Sequence, residues 1–272
     1  MDIRHYRHSG LFYFLSVLIP WIAWLTAAWL SHAEYMGWAS VFGFMGLIAP
    51  LIIALILILP NETLKRDFLG RLINTRAVPF KYLLVTLLLM PLSILAAQLI
   101  SLLFGYSADQ FQLRGDFTFT SGIFPVWFLL IMAPLIEELA WHSYGTDCLR
   151  NRFNLLNTSL LFALFWGIWH LPLSFIRDYY QSNLVESGFL YSLNFIVSLF
   201  PFVLIMNWLY YKTNRSIIVS VIFHITAGYF NEIFATHPMS KVIQTGLLLL
   251  ISIYLIIDNK TFFINTLKFD LK

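Results

Sequence analysis

Eight stretches of this chain are each apolar for long enough to cross a bilayer, at about residues 10–31, 38–60, 82–105, 122–146, 158–176, 187–211, 216–235 and 243–258. A helix covers the hydrocarbon core with roughly 20 apolar residues. Inside that core every backbone N–H and C=O must find a partner within the chain, so helices or a closed barrel are the available structures. Runs of this length point to helices. The composition agrees: 59% of residues are hydrophobic and 11% charged, where soluble domains carry about a quarter charged. The expected fold class is all-α, a polytopic membrane helical bundle of about eight transmembrane helices. No internal repeat or long linker divides it, so residues 1–272 are expected to form a single integral membrane domain.

Orientation follows from the basic residues, because Lys and Arg near span ends are retained in the cytoplasm. With eight spans, only Arg114, Arg177 and Lys241 of the 17 Lys and Arg residues fall on one side, and all the others, including Arg76, Lys268 and Lys272, fall on the other. Both termini are therefore expected to be cytoplasmic. The formal net charge of +3 reads as a topology signal, and nucleic acid is not an expected partner. The partners expected are the lipid bilayer and a peptide or protein substrate in or at the membrane. The plasma (inner) membrane of a bacterium is the expected location. The first apolar run exceeds the 7–15 residues of a signal-peptide core and is read as a retained helix. The lone Cys148 excludes an intrachain disulfide.

The connection from Pro60 to Lys81 mixes Lys and Arg with Phe68, Leu69, Leu72 and Ile73, which suits either a helix at the headgroups or a plain basic loop. Trp208, Tyr210 and Tyr211 before Lys212 read as an interfacial aromatic belt.

Against this apolar background a few polar residues stand out. "PLIEELAWHS" places Glu137, Glu138 and His142 inside the fourth span, where an ionised side chain costs roughly 2.5–3.5 kcal/mol on insertion scales and therefore faces the bundle interior or a wet cavity. At 100° per residue, Glu138 and His142 lie ~40° apart and can pair, while Glu137 points ~100° away to another neighbour. "FWGIWHLPL" adds His170 in the fifth span; Pro172 lacks an N–H and would leave the Ile168 carbonyl free beside the imidazole. "FHITAGYFN" adds His224 and Asn231, two turns apart on nearly one stripe of the seventh span. Counted from the basic side, Glu137 and His224 fall at similar depths and His170 somewhat deeper, which suggests that three helices bring them together in one inner-leaflet cavity. Glu can act as general base toward water and His can orient it; a second His and an amide can stabilise an oxyanion. Glu137, His170 and His224 could instead ligate Zn²⁺. The local zincin motif H-E-x-x-H is absent.

"EELAWHSYGTDCLRNRFN" resembles the first motif, Glu-Glu-x-x-x-Arg, of the CAAX protease and bacteriocin-processing family of intramembrane proteases; "FWGIWHLPL" is similar to its second, Phe-x-x-x-His, and "FHITAGYFN" to its third, His-x-x-x-Asn. The resemblance spans residues 122–235. It implies a helical-bundle protease, whose eukaryotic branch acts on prenylated C-terminal CAAX motifs. Carried over residue by residue, Glu137 and His170 would activate water, Glu138 would support Glu137, and His224 would help form the oxyanion site. Two positions depart from the pattern: His142 stands where the motif has Arg, and Gly228 where it has Asn, which leaves Asn231 as a displaced amide donor. Three functions remain open from the residues: an intramembrane endopeptidase, a non-proteolytic membrane binding or immunity-type protein of the same family, and a proton relay or transporter.

Overall fold

The computed structural model describes residues 3–74, 78–120 and 122–266. Arg76, Lys268 and Lys272 lie outside the described residues. Among the described residues the structure is helical, apart from one isolated antiparallel bridge between Leu113 and Phe234. Twelve α-helices run in order: α1 Ser9–His32, α2 Met36–Ile58, α3 Glu62–Leu72, α4 Phe80–Leu102, α5 Val126–Ala140, α6 Thr146–Arg150, α7 Leu155–His170, α8 Tyr180–Ser187, α9 Phe189–Lys212, α10 Ile217–Ile233, α11 Pro238–Asp258 and α12 Lys260–Ile264.

Among the described residues, seven spans are long and apolar enough to cross a membrane: α1, α2, α4, the continuous run Val126–Arg150, Leu155–Phe175, α9 and α11. The eighth apolar window is α10, which has 17 residues and so a length of ~25 Å. It is enclosed by α4, α5 and α9. The outward sides of the bundle carry large apolar side chains such as Phe14, Ile22, Ile56, Leu92, Leu250 and Ile257, as a lipid-facing surface requires.

α3 resolves the two readings of the first polar connection in favour of a helix. Asn61 caps it, accepting from the N–H groups of Thr63 and Leu64. Leu64 and Phe68 turn inward while Leu69 and Ile73 stay exposed. Arg71 is buried as well, which the sequence pattern did not suggest. The aromatic belt expected at Trp208, Tyr210 and Tyr211 is largely interior: Trp208 and Tyr210 are buried, and both tyrosine hydroxyls bond to the buried Asp147. A phenol can sit inside when a carboxylate receives its O–H.

Both ends of the described chain meet on one face. Asn151 donates to the Tyr6 carbonyl and Arg150 to that of Asn265. The segments 108–120, 176–179 and 234–237 are tied together on the opposite face, by Arg114 N–H to the Ile233 carbonyl, Ala235 N–H to that of Gln112 and Thr120 N–H to that of Asp178.

Candidate active site

Residues Trp141–Gly145 interrupt the fourth span with a π-helical turn, in which the Thr146 N–H reaches back to the Trp141 carbonyl. Such a turn inserts an extra residue per bond and often accompanies functional sites. Here it follows Glu137 and Glu138 directly and carries His142.

The two glutamates diverge as their spacing requires. Glu137 is buried, and its Oε2 accepts from the indole N–H of Trp166 at 2.9 Å and of Trp141 at 3.4 Å. Glu138 is fully buried; its Oε2 contacts His142 Nδ1 one turn later, and its Oε1 lies 2.8 Å from His224 Nδ1 on α10. The far side of the His142 ring, Nε2, sits 3.0 Å from the Asn207 side-chain oxygen on α9. The Glu138–His142 pair and the different neighbours of Glu137 were legible from the helical angles. The indole partners and Asn207 were not.

His170 ends α7. Its Nδ1 lies 2.7 Å from the Trp166 carbonyl. A carbonyl only accepts, so Nδ1 holds a proton and Nε2 is the nitrogen left to act. The chain then tightens into a 3₁₀ turn, Leu171–Phe175, and the Leu171 N–H bonds to the Ile168 carbonyl. That carbonyl is therefore not free, contrary to the expectation from Pro172: the tighter turn supplies a donor one residue earlier.

Glu137, His170, His224 and Asn231 all line one cavity of about 340 Å³, together with apolar residues such as Leu130, Leu199 and Phe202. Glu138 lies behind its wall. Asn231 donates one amide N–H to the Ala227 carbonyl at 2.9 Å. A Cβ built on Gly228 would meet Leu130 at 3.8 Å, an ordinary contact distance, so that position admits a Cβ without a clash.

The cavity reaches one surface of the bundle. Its lining includes the exposed Thr120, Gly122 and Arg177, which belong to the face opposite the termini. The termini's side carries a largely buried cluster of ion pairs, none of whose residues lines the cavity. Arg215 bonds Asp147 at 2.5 Å and Asp67 at 2.8 Å, and Arg71 reaches Asp67 at 2.9 Å and Asp147 at 3.3 Å. His170 lies at the last residue of a 16-residue helix, ~22 Å from its start.

Among the described residues no three His, Cys, Asp or Glu side chains are gathered closely enough to hold a metal ion. Glu137 is engaged by two indoles, while the Nδ1 atoms of His170 and His224 are held by the Trp166 carbonyl and Glu138, which leaves both Nε2 atoms free. As placed, Glu137, His170 and His224 are not gathered into such a group.

Two comparisons with known proteins bear on this arrangement. The family described as "Type II CAAX prenyl endopeptidase Rce1-like" matches residues 119–230, which include every residue above that lines the cavity from α5, α7 and His224. CAAX prenyl protease 2 of Methanococcus maripaludis is 40% identical over 266 residues, covering 96% of this chain and 98% of that protein. At that identity over nearly the whole of both chains, the chain belongs to the CAAX prenyl protease family of multi-pass membrane proteases.

Proposed function

We propose that this protein is an intramembrane endopeptidase that hydrolyses a peptide bond of a prenyl-CAAX-like, membrane-associated substrate, using water activated between Glu137 and His170. The observation that carries the reading is the shared cavity, in which one carboxylate, two imidazoles and an amide from three separate spans open on the same apolar space. The apolar walls suit a lipid chain attached to the substrate. Glu137 takes a proton from water as general base, and His170 Nε2 orients that water. The hydroxide adds to the scissile carbonyl carbon. Negative charge then develops on the carbonyl oxygen, toward which His224 Nε2 and the second N–H of Asn231 can donate. As the C–N bond breaks, the proton held by Glu137 passes to the leaving amine. Glu138 touches no substrate and acts by fixing the His224 ring.

The test is release of the C-terminal fragment from a farnesylated CAAX peptide by purified protein in bilayers. Glu137→Gln keeps the shape but cannot accept the proton, and is expected to abolish turnover while leaving insertion intact; His170→Ala is expected to do the same. Turnover retained in Glu137→Gln would remove it as the base. Treatment with a chelator followed by metal analysis tests the Zn²⁺ alternative: full activity without bound metal supports the glutamate mechanism. A wild-type protein inert toward all such peptides would favour the non-proteolytic binding or immunity-type reading.

A further inference from the structure

Behind the cavity wall, a chain of hydrogen bonds crosses four elements. Ser159 Oγ donates to the Leu155 carbonyl at 2.9 Å, Asn207 Nδ2 donates to Ser159 Oγ at 3.0 Å, and Asn207 Oδ1 faces His142 Nε2 at 3.0 Å. His142 Nδ1 contacts Glu138, which holds His224. Ser159, Asn207, His142 and Glu138 are all buried to within 1% exposure, so water does not offer alternative partners.

The direction of every bond follows from the first. A backbone carbonyl only accepts, so the single Ser159 proton is committed to Leu155 and its oxygen can only receive. The Asn207 amide must then turn its NH₂ to Ser159 and its oxygen to His142. That oxygen in turn requires a proton on His142 Nε2. His142 therefore meets Glu138 with its other nitrogen, and one proton lies between Nδ1 and Oε2, on one atom or the other. Arginine, which the family's motif has at this position, would present donors to the carboxylate whatever surrounded it. A histidine does so only if its tautomer is fixed.

Resting on the protease reading above, we infer that Asn207 and Ser159 are positioning residues, which set His142 so that it replaces the motif's arginine in holding Glu138, and through Glu138 the His224 ring. They touch no substrate. Their effect is on how well His224 is aimed at the developing oxyanion, and hence on kcat.

Asn207→Leu keeps nearly the same volume and removes the acceptor, whereas Asn207→Asp keeps an acceptor facing Nε2. The expected result with a farnesylated CAAX peptide is a kcat about 10- to 100-fold lower in Asn207→Leu at unchanged KM, the scale of a misaimed catalytic group, with Asn207→Asp near wild type. Equal losses in both variants, or no loss in Asn207→Leu, overturn the inference. Should Asn207→Leu not fold, Ser159→Ala frees the amide to turn over; a smaller fall in kcat at unchanged KM supports the relay and an unchanged kcat overturns it. The ¹⁵N spectrum of His142 in bilayers reads the relay without turnover. A protonated Nε2 in the wild type supports it, and an unprotonated one overturns it. An inert wild type with Nε2 protonated overturns the protease reading alone.

Discussion

Glu137 shows how one residue can be legible in type and opaque in setting. Two adjacent carboxylates in an apolar span are costly enough to mark a site, and their angular separation assigned them different neighbours. What the linear pattern could not supply was the partner. Trp166 lies 29 positions away and Trp141 on the following turn, and tryptophans in membrane helices are ordinarily interfacial. Asn231 raises the complementary question. Its side chain keeps one N–H on the Ala227 carbonyl and has a second without a partner among the described residues. Asn231→Ala is expected to lower turnover about 10²-fold with little change in substrate binding, the scale of a lost oxyanion donor. Gly228→Asn, at a position that admits a Cβ beside Leu130, should restore part of that loss. The check is kcat and KM of the single and double variants; unchanged turnover in Asn231→Ala would take this amide out of the mechanism.

At the scale of elements, the π turn depends on residues remote in sequence. Arg71 of α3 donates to the carbonyls of His142 and Ser143 at 3.0 and 3.1 Å and also contacts the Tyr210 hydroxyl. These bonds give partners to carbonyls on the very turn that carries His142. The basic residues between Pro60 and Lys81 were legible as a charge signal and useful for topology, yet the one that braces this turn looked no different from its neighbours. Burial depends on which side of α3 packs inward, and a mixed pattern with Leu69 and Ile73 outside gave no clear stripe. Asp67, on the same helix, is a measurable part of this brace. Burial would raise its carboxyl, but the hydrogen bond from Arg215 and the charges of Arg71 and Arg215 outweigh that and hold it below the usual carboxylate range. A depressed carboxyl contributes stability that is present above its ordinary value near 3.9 and is lost as pH falls through the lower folded value. Thermal midpoints in detergent should thus fall below about pH 4 in the wild type. Asn at position 67 should lower the midpoint at neutral pH and flatten the acid limb. An acid limb unchanged in Asp67→Asn would assign the loss to other groups.

For the whole molecule, the spans were the most legible feature because hydropathy acts over 20 residues and averages out local ambiguity. The eight windows correspond to seven long helices and the shorter α10. The start of the fifth span was less legible: its apolar window begins at about residue 158, whereas Asn154 caps the helix and Leu155 begins it. The same charge bias makes an expectation for orientation. Reporter fusions after Lys81 and Arg152 should register in the cytoplasm, and fusions near Asp109 and Arg177 on the other side. The cavity would then open away from the cytoplasm. The reverse pattern would bring its opening to the cytoplasmic surface and would show that the buried arginines had inflated the basic count of the termini's face.

The ion pairs beneath the cavity also impose an order in time. Tyr6 bonds Asp67 at 2.5 Å and receives Arg71 at 2.7 Å, but Arg215, which joins Asp67 to Asp147, is translated more than 200 residues after Tyr6. Until it emerges from the ribosome, two carboxylates have one arginine between them, and a buried charge left without its partner is strongly unfavourable. The early helices can insert as they are made, but their final docking has to wait for the start of α10. A stalled nascent chain ending short of Arg215 would remain open to proteolysis around α3, and elongation past it would close that window.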